Sequence, residues 1–273
     1  MSDGRFNWVK ALSIGCGVLV ALPVLAVLIV TLRTWAPLQS SGSSLAKLDE
    51  RFGAQIEFVP APDGAVAPSR ILAFLEVRQS LHAICEEINS IEREFDRVDN
   101  LEEEHSEPSP REVAGVTRSF AGIAAELTPI VGRFFKERNR ALLDAEIGLG
   151  EYSYIFALAY REQFQDESIH RPLFSDDGPL SAKAAEALRA MLTHQLDSLA
   201  DETDAESRRR ELSAEIQAMQ QDPQRLPWQD RLPAEIDASL TPYRTQLDEA
   251  FCLNSAGIEM DPDSRRALYI ALE

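Results

Sequence analysis

The stretch from Ser69 to Val98 reads SRILAFLEVRQSLHAICEEINSIEREFDRV, and its spacing decides the fold. Phe74, Val77, Leu81, Ile84, Ile88, Ile91, Phe95 and Val98 follow one another at alternating intervals of three and four residues. That spacing gathers the apolar side chains on one stripe of a helix, whereas a strand would need apolar residues at every second position. Ser69, directly after Pro68, reads as the cap that opens the helix. A second seam repeats the pattern through Val113, Val116, Phe120, Ile123, Leu127, Ile130 and Phe134, with Pro108 and Pro110 between the two. Two striped helices joined by a proline-bearing turn bury their stripes most simply as an antiparallel hairpin over residues 69–140.

Downstream, residues 141–273 supply further helices to the same domain, 69–273. A helical stretch from Asn139 to Phe164 carries Leu142, Ala145, Leu149, Tyr152, Phe156 and Ala159 on one face and is expected to pack on the hairpin. Residues 166–180 read as a loop, after which Ser181 caps a helix bearing Leu188, Met191, Leu192, Leu196 and Leu199. Leu212, Ile216 and Met219 mark another helix before Pro223, Pro227 and Pro233 interrupt the chain. Thr241-Pro242 reads as a cap and first position of a short helix through Leu247 and Phe251. No segment has the two-residue period of a strand, so the chain reads as all-α.

Upstream, residues 34–68 hold Ser40-Ser41-Gly42-Ser43-Ser44 and then Pro60, Pro62, Gly64 and Pro68, the composition of a linker, within which a short element around Leu45 to Phe58 could still pack onto the body. Before it, Ala11 to Leu32 is an uncharged run bounded by Lys10 and Arg33, with Trp8 and Trp35 just outside its ends. A helix of that length spans a hydrocarbon core of about 30 Å, and indoles favour the headgroup region. The run is too long for the apolar part of a cleaved signal peptide, and Pro37 spoils the nearest cleavage site, Thr34-Trp35-Ala36. Residues 1–33 are therefore read as a short cytoplasmic tail and a single transmembrane helix, with the bilayer as partner along 11–32. Arg5, Lys10 and the terminal amine hold the amino terminus inside. The rest of the chain is then expected outside the cytoplasm, in the periplasm or exterior of a bacterial inner membrane.

The whole chain of 273 residues has 27 Lys+Arg against 45 Asp+Glu, a net charge of −18. Residues 34–273 hold 24 basic and 44 acidic residues. Such a surface argues against nucleic acid as a partner and against close docking on anionic lipid.

Candidate sites are few. Cys85 and Cys252 both lie outside the anchor and could pair in an oxidising compartment; two separately buried thiols are the alternative. His82, Cys85 and Glu86 share a helical face, but no matching ligand pair accompanies them, so no metal is expected. Glu102, Glu103, Glu104 and Glu107 read as a solvated turn, and Arg208-Arg209-Arg210, among Glu202, Glu206 and Glu211, as an ion-paired helix face. The run Gly148-Leu149-Gly150-Glu151-Tyr152 puts two glycines into a helical pattern, a cost that close packing or a bend must offset. Tyr152, Phe156 and Tyr160 could line an apolar groove there, or simply form core. No nucleophile elbow, phosphate loop, dinucleotide fingerprint or zinc-protease helix is present, and no catalytic residue or cofactor is assigned. The sequence thus points to a non-catalytic, membrane-anchored interaction or structural module with a protein partner. The alternative is a module that binds an apolar small molecule or lipid.

Overall fold

The computed structural model describes residues 43–103, 127, 129–165, 181–202 and 205–262, and among these residues there is no strand. Helices α1 (43–52), α2 (Pro68–Glu103), α3 (129–144), α4 (Leu149–Tyr160) and α5 (Ala182–Ser198) are followed by α6 (Glu206–Gln221), α7 (Ala234–Leu240), α8 (Arg244–Glu249) and α9 (Ala256–Glu259). Single 3-10 turns occupy Gln55–Glu57, Gln163–Gln165 and Thr241–Tyr243. The apolar segment 11–32, the proline turn at Pro108 and Pro110, the seam residues Val113 to Ile123 and the loop 166–180 lie outside the described residues. No described helix is long and apolar enough to cross a membrane.

The 36 residues of α2 make a rod of about 54 Å. Its seam is buried from Ile71 through Phe74, Val77, Leu81, Ile84 and Ile88 to Ile91. The helix begins at Pro68, so Ser69 is not its cap. The Arg70 and Ile71 N–H groups donate to Ala67 O at 2.8 and 3.2 Å, and proline, lacking an N–H, fits the first position where none is needed. α3 returns antiparallel. Arg133 Nη2 donates to Glu87 Oε2 at 2.5 Å, while further along Arg78 and Arg138 meet the same residue, Glu259. Leu127, Ile130, Val131, Phe134 and Leu142 carry the buried face of this arm.

The expected single helix from Asn139 to Phe164 is two helices. After α3 the Ile147 N–H reaches back to Leu142 O at 3.0 Å and the Glu146 N–H to Leu143 O, with Glu146 at φ 54°. This is a Schellman stop, in which a left-handed residue closes the last turn and the flanking Leu142 and Ile147 pack together in the core. α4 then starts afresh at Gly148, its cap. All of α4 except Glu151 is buried, so it is the central helix, contacted by α2, α5, α8 and the 55–57 turn.

The linker read at 34–68 gives way from residue 43 onward, where the short element around Leu45 to Phe58 packs into the body. Leu48 is 1% exposed, and Gln55 is buried with its amide donating to Ser153 Oγ and Met260 O, both at 2.8 Å. The two glycines make room for this segment. A Cβ on Gly150 would stand 2.5 Å from Gln55 O and from Phe58 Cβ, and one on Gly148 would stand 2.9 Å from Phe52 Cβ. Only a bare backbone allows that approach.

Two further caps complete the frame. Ser181 Oγ accepts the Ala184 N–H at 3.1 Å, opening α5. Thr241 closes α7 instead of opening the next helix, its hydroxyl donating back to Asp237 O at 2.8 Å.

Candidate functional site

Tyr152, Phe156 and Tyr160 do not line a groove. Each is 0% exposed, and their rings pack on one another and on Phe74, with ring centroids 4.9 to 6.5 Å apart. Because α4 is enclosed on all sides, these rings face helices rather than solvent.

Beside these rings lies a closed polar network. The Glu259 carboxylate, from α9, receives Arg78 Nη1, Ser255 Oγ at 2.7 Å and Tyr152 Oη at 2.7 Å. Both members of the Arg78–Glu259 pair have side chains at 0% exposure. Arg78 also donates to Ala250 O from Nε and Nη2, at 3.1 and 2.8 Å. Arg138, equally buried, donates through Nη1 to the backbone oxygens of Ile258, Glu259 and Asp261 at 3.3, 2.8 and 2.8 Å, and its guanidinium lies 4.7 Å from the Phe135 ring centre. Burial pulls the Arg78 guanidinium down, but the Glu259 carboxylate outweighs it and holds it above the ordinary arginine range. Burial pushes Arg138 below that range, and it pushes the Tyr152 and Tyr154 phenols up, and Tyr160 to about 12. A disulfide joins Cys85 to Cys252, with Cα atoms 6.0 Å apart, and fastens the same carboxy-terminal segment to α2. The network is a clasp for residues 250–261. Its Arg78 and Glu259 side chains are 0% exposed, and the backbone of Arg78 and Ala250 borders the cavity between α2 and α8.

The open concavities lie outside the clasp. One, of about 790 Å³, runs between α2 and α8 over the disulfide, with Gln79, His82, Glu86 and Glu249 in its walls. His82, Glu86 and Glu249 do not converge there, and no metal-ligand cluster occurs among the described residues. The other, of about 760 Å³, lies between the α5–α6 turn, the start of α6 and residues 228–235. Its floor is apolar, from Leu199, Ala205, Trp228 and Leu232, and its rim carries Asp63, Glu202, Glu211 and Glu235 with Arg231.

Arg208 and Trp228 build the wall of this second cleft. Arg208 Nη2 donates to Asp63 O at 2.6 Å, and the guanidinium lies over the Trp228 ring at 5.3 Å. Trp228 stands at φ 58°, a backbone setting bulky residues rarely adopt. Its N–H is fixed by Glu215 Oε1 at 2.9 Å, and Glu215 is in turn held by Arg225 Nε at 3.1 Å. Trp228 is 6% exposed, and neither its indole N–H nor Arg208 Nε makes a hydrogen bond among the described residues. The Arg208 to Arg210 run is in part the expected ion-paired face. Arg208 Nη1 lies 3.6 Å from Glu211 Oε2 and Arg210 Nε 3.9 Å from Glu206 Oε1, while Arg208 Nη2 and Arg209 Nη1 donate to backbone oxygens.

Sequence reasoning did not single out Trp228. The available signal was a lone tryptophan among the prolines Pro223, Pro227 and Pro233, in a polar stretch where no apolar seam requires it. No family model, characterised protein or solved structure is similar enough to this chain to count as a match.

Proposed function

We propose that the protein is a membrane-anchored helical interaction module, non-catalytic, whose body faces outside the cytoplasm and binds a protein partner through the Trp228 cleft. The observation that carries this reading is the cleft itself. It combines an apolar floor with a charged rim, and Trp228 and Arg208 stand stacked in its wall. Interfaces draw their energy from such aromatic and arginine anchors within a polar rim. The uncharged run 11–32 supports the anchor, and the Cys85–Cys252 bridge supports an oxidising compartment.

The test is photo-cross-linking in cells from exposed rim positions Glu202 and Glu235, with exposed Glu50 and Glu76, away from the cleft, as controls. One discrete protein adduct from the rim and none from the controls is expected. Adducts that are equally abundant at all four positions, or absent at all four, would refute the reading.

A further inference from the structure

The floor and rim of the cleft carry different chemistry. The rim presents four carboxylates, those of Asp63, Glu202, Glu211 and Glu235, against the two guanidinium groups of Arg208 and Arg231. Arg208 is partly spoken for, with Nη1 3.6 Å from Glu211 Oε2. Glu202 and Glu235 are exposed and make no ion pair among the described residues. The floor, by contrast, is apolar, from Leu199, Ala205, Trp228 and Leu232. An anionic ligand would be repelled by the carboxylates. A bare cation would leave the apolar floor uncovered. A basic peptide answers both at once, since Lys and Arg carry a cationic head on an apolar stem.

We propose that this cleft binds a basic peptide segment, which sets Lys or Arg side chains against Glu202, Glu235 and Asp63 and lays their alkyl stems on the apolar floor. The volume, about 760 Å³, lies within the usual range for specific ligand clefts. The net charge of −18 adds long-range attraction for such a partner. This inference rests on the interaction reading and narrows it to one partner chemistry.

The experiment uses the full chain in non-ionic micelles with Trp8→Phe and Trp35→Phe, which leaves Trp228 as the only fluorophore of its kind. The probe is a seven-residue peptide of alternating Gly and Lys, acetylated and amidated at its ends, titrated at physiological salt by fluorescence and by calorimetry. Saturable binding is expected. Glu202→Gln with Glu235→Gln should weaken it about tenfold, since two partly desolvated pairs contribute near 1.4 kcal/mol together. Glu50→Gln with Glu76→Gln makes the same change of charge away from the cleft and should cost less than twofold.

Three results would overturn the proposal: no binding at millimolar peptide, equal weakening by the two glutamate pairs, or tighter binding of the same peptide with Glu in place of Lys. If any of these occurs while rim-specific cross-linking persists, the cleft takes a partner of other chemistry and the interaction reading stands. If cross-linking fails as well, both fall.

Discussion

Glu259→Gln removes a charge from the clasp while keeping its shape, and its cost can be worked from the contacts. The carboxylate accepts from Arg78, Ser255 and Tyr152, and neither it nor Arg78 touches solvent. A hydrogen bond to a charged group contributes about 1 kcal/mol more than one to a neutral group, so three contacts weakened together lose about 3 kcal/mol. The amide NH2 must then face a donor, and the Arg78 charge is left buried without its counter-charge. Breaking buried pairs in this way typically costs about 3–5 kcal/mol, a large part of a domain's total stability of about 5–15 kcal/mol. Urea denaturation of the full chain in micelles, followed by circular dichroism, measures the difference. A companion double variant, Arg78→Met with Glu259→Leu, removes both charges and should cost less than Glu259→Gln alone, because no ion is left stranded. A loss below about 1 kcal/mol for Glu259→Gln, or a double variant worse than the single, would refute the account of the clasp as a mutually dependent pair.

Three further outcomes follow from the same coordinates. Gly150→Ala should destabilise by about 1–2 kcal/mol in the same assay despite alanine's better helix propensity, because its methyl would sit 2.5 Å from Gln55 O. Glu146→Gly should stabilise by about 0.5 kcal/mol, since glycine takes the φ of 54° without strain and the Arg51 contact that is lost lies between half-exposed side chains. The buried phenols predict alkaline lability. With Tyr160 raised to about 12, and Tyr152 and Tyr154 raised too, the folded state holds their protons more tightly than the unfolded chain. Stability should therefore be full below pH 10 and fall by about 1.4 kcal/mol per pH unit per phenol as pH rises from 10 towards 12. Denaturation curves at pH 9, 10 and 11 check this, and coincident curves would contradict it.

The seam of α2 was legible because its information is local: each apolar residue predicts the next one three or four places on. The two glycines near 150 were legible as a close approach, but what approaches them was not. The answer lies some ninety residues upstream in a proline-rich stretch whose burial depends on the notch itself. A short element around Leu45 to Phe58 could be suspected from the sequence but not what it packs on, and Gln55 is buried only because Ser153 and Met260 O await it. The buried arginines were hidden for the same reason. Arg78 sits beside the seam residue Val77 like any flanking charge, and its burial is decided by Glu259, 181 positions away. The Trp228 cleft likewise joins residue 63, the α6 start and residues 228–235, and no window of sequence contains them together.

If residues 11–32 cross a bilayer, as proposed, the packing of residues 43–68 sets how far the body can stand from it. A spacer of 35 residues, 34–68, would reach about 30 Å on average; with α1 beginning at 43, ten residues remain after Leu32, reaching about 17 Å on average and 35 Å at most. An anchored body on so short a spacer meets chiefly what is also at the membrane, and this bears on its partner. Inserting twenty Gly and Ser residues after Arg33 would triple the spacer. It would dilute the body near the surface by about three to the power 3/2, or fivefold. If the partner is itself membrane-bound, cross-linking from Glu202 should fall by about that factor; for a freely diffusing partner, the yield should not change. A constant yield would therefore refute a membrane-bound partner and place the ligand of the cleft in the surrounding solution.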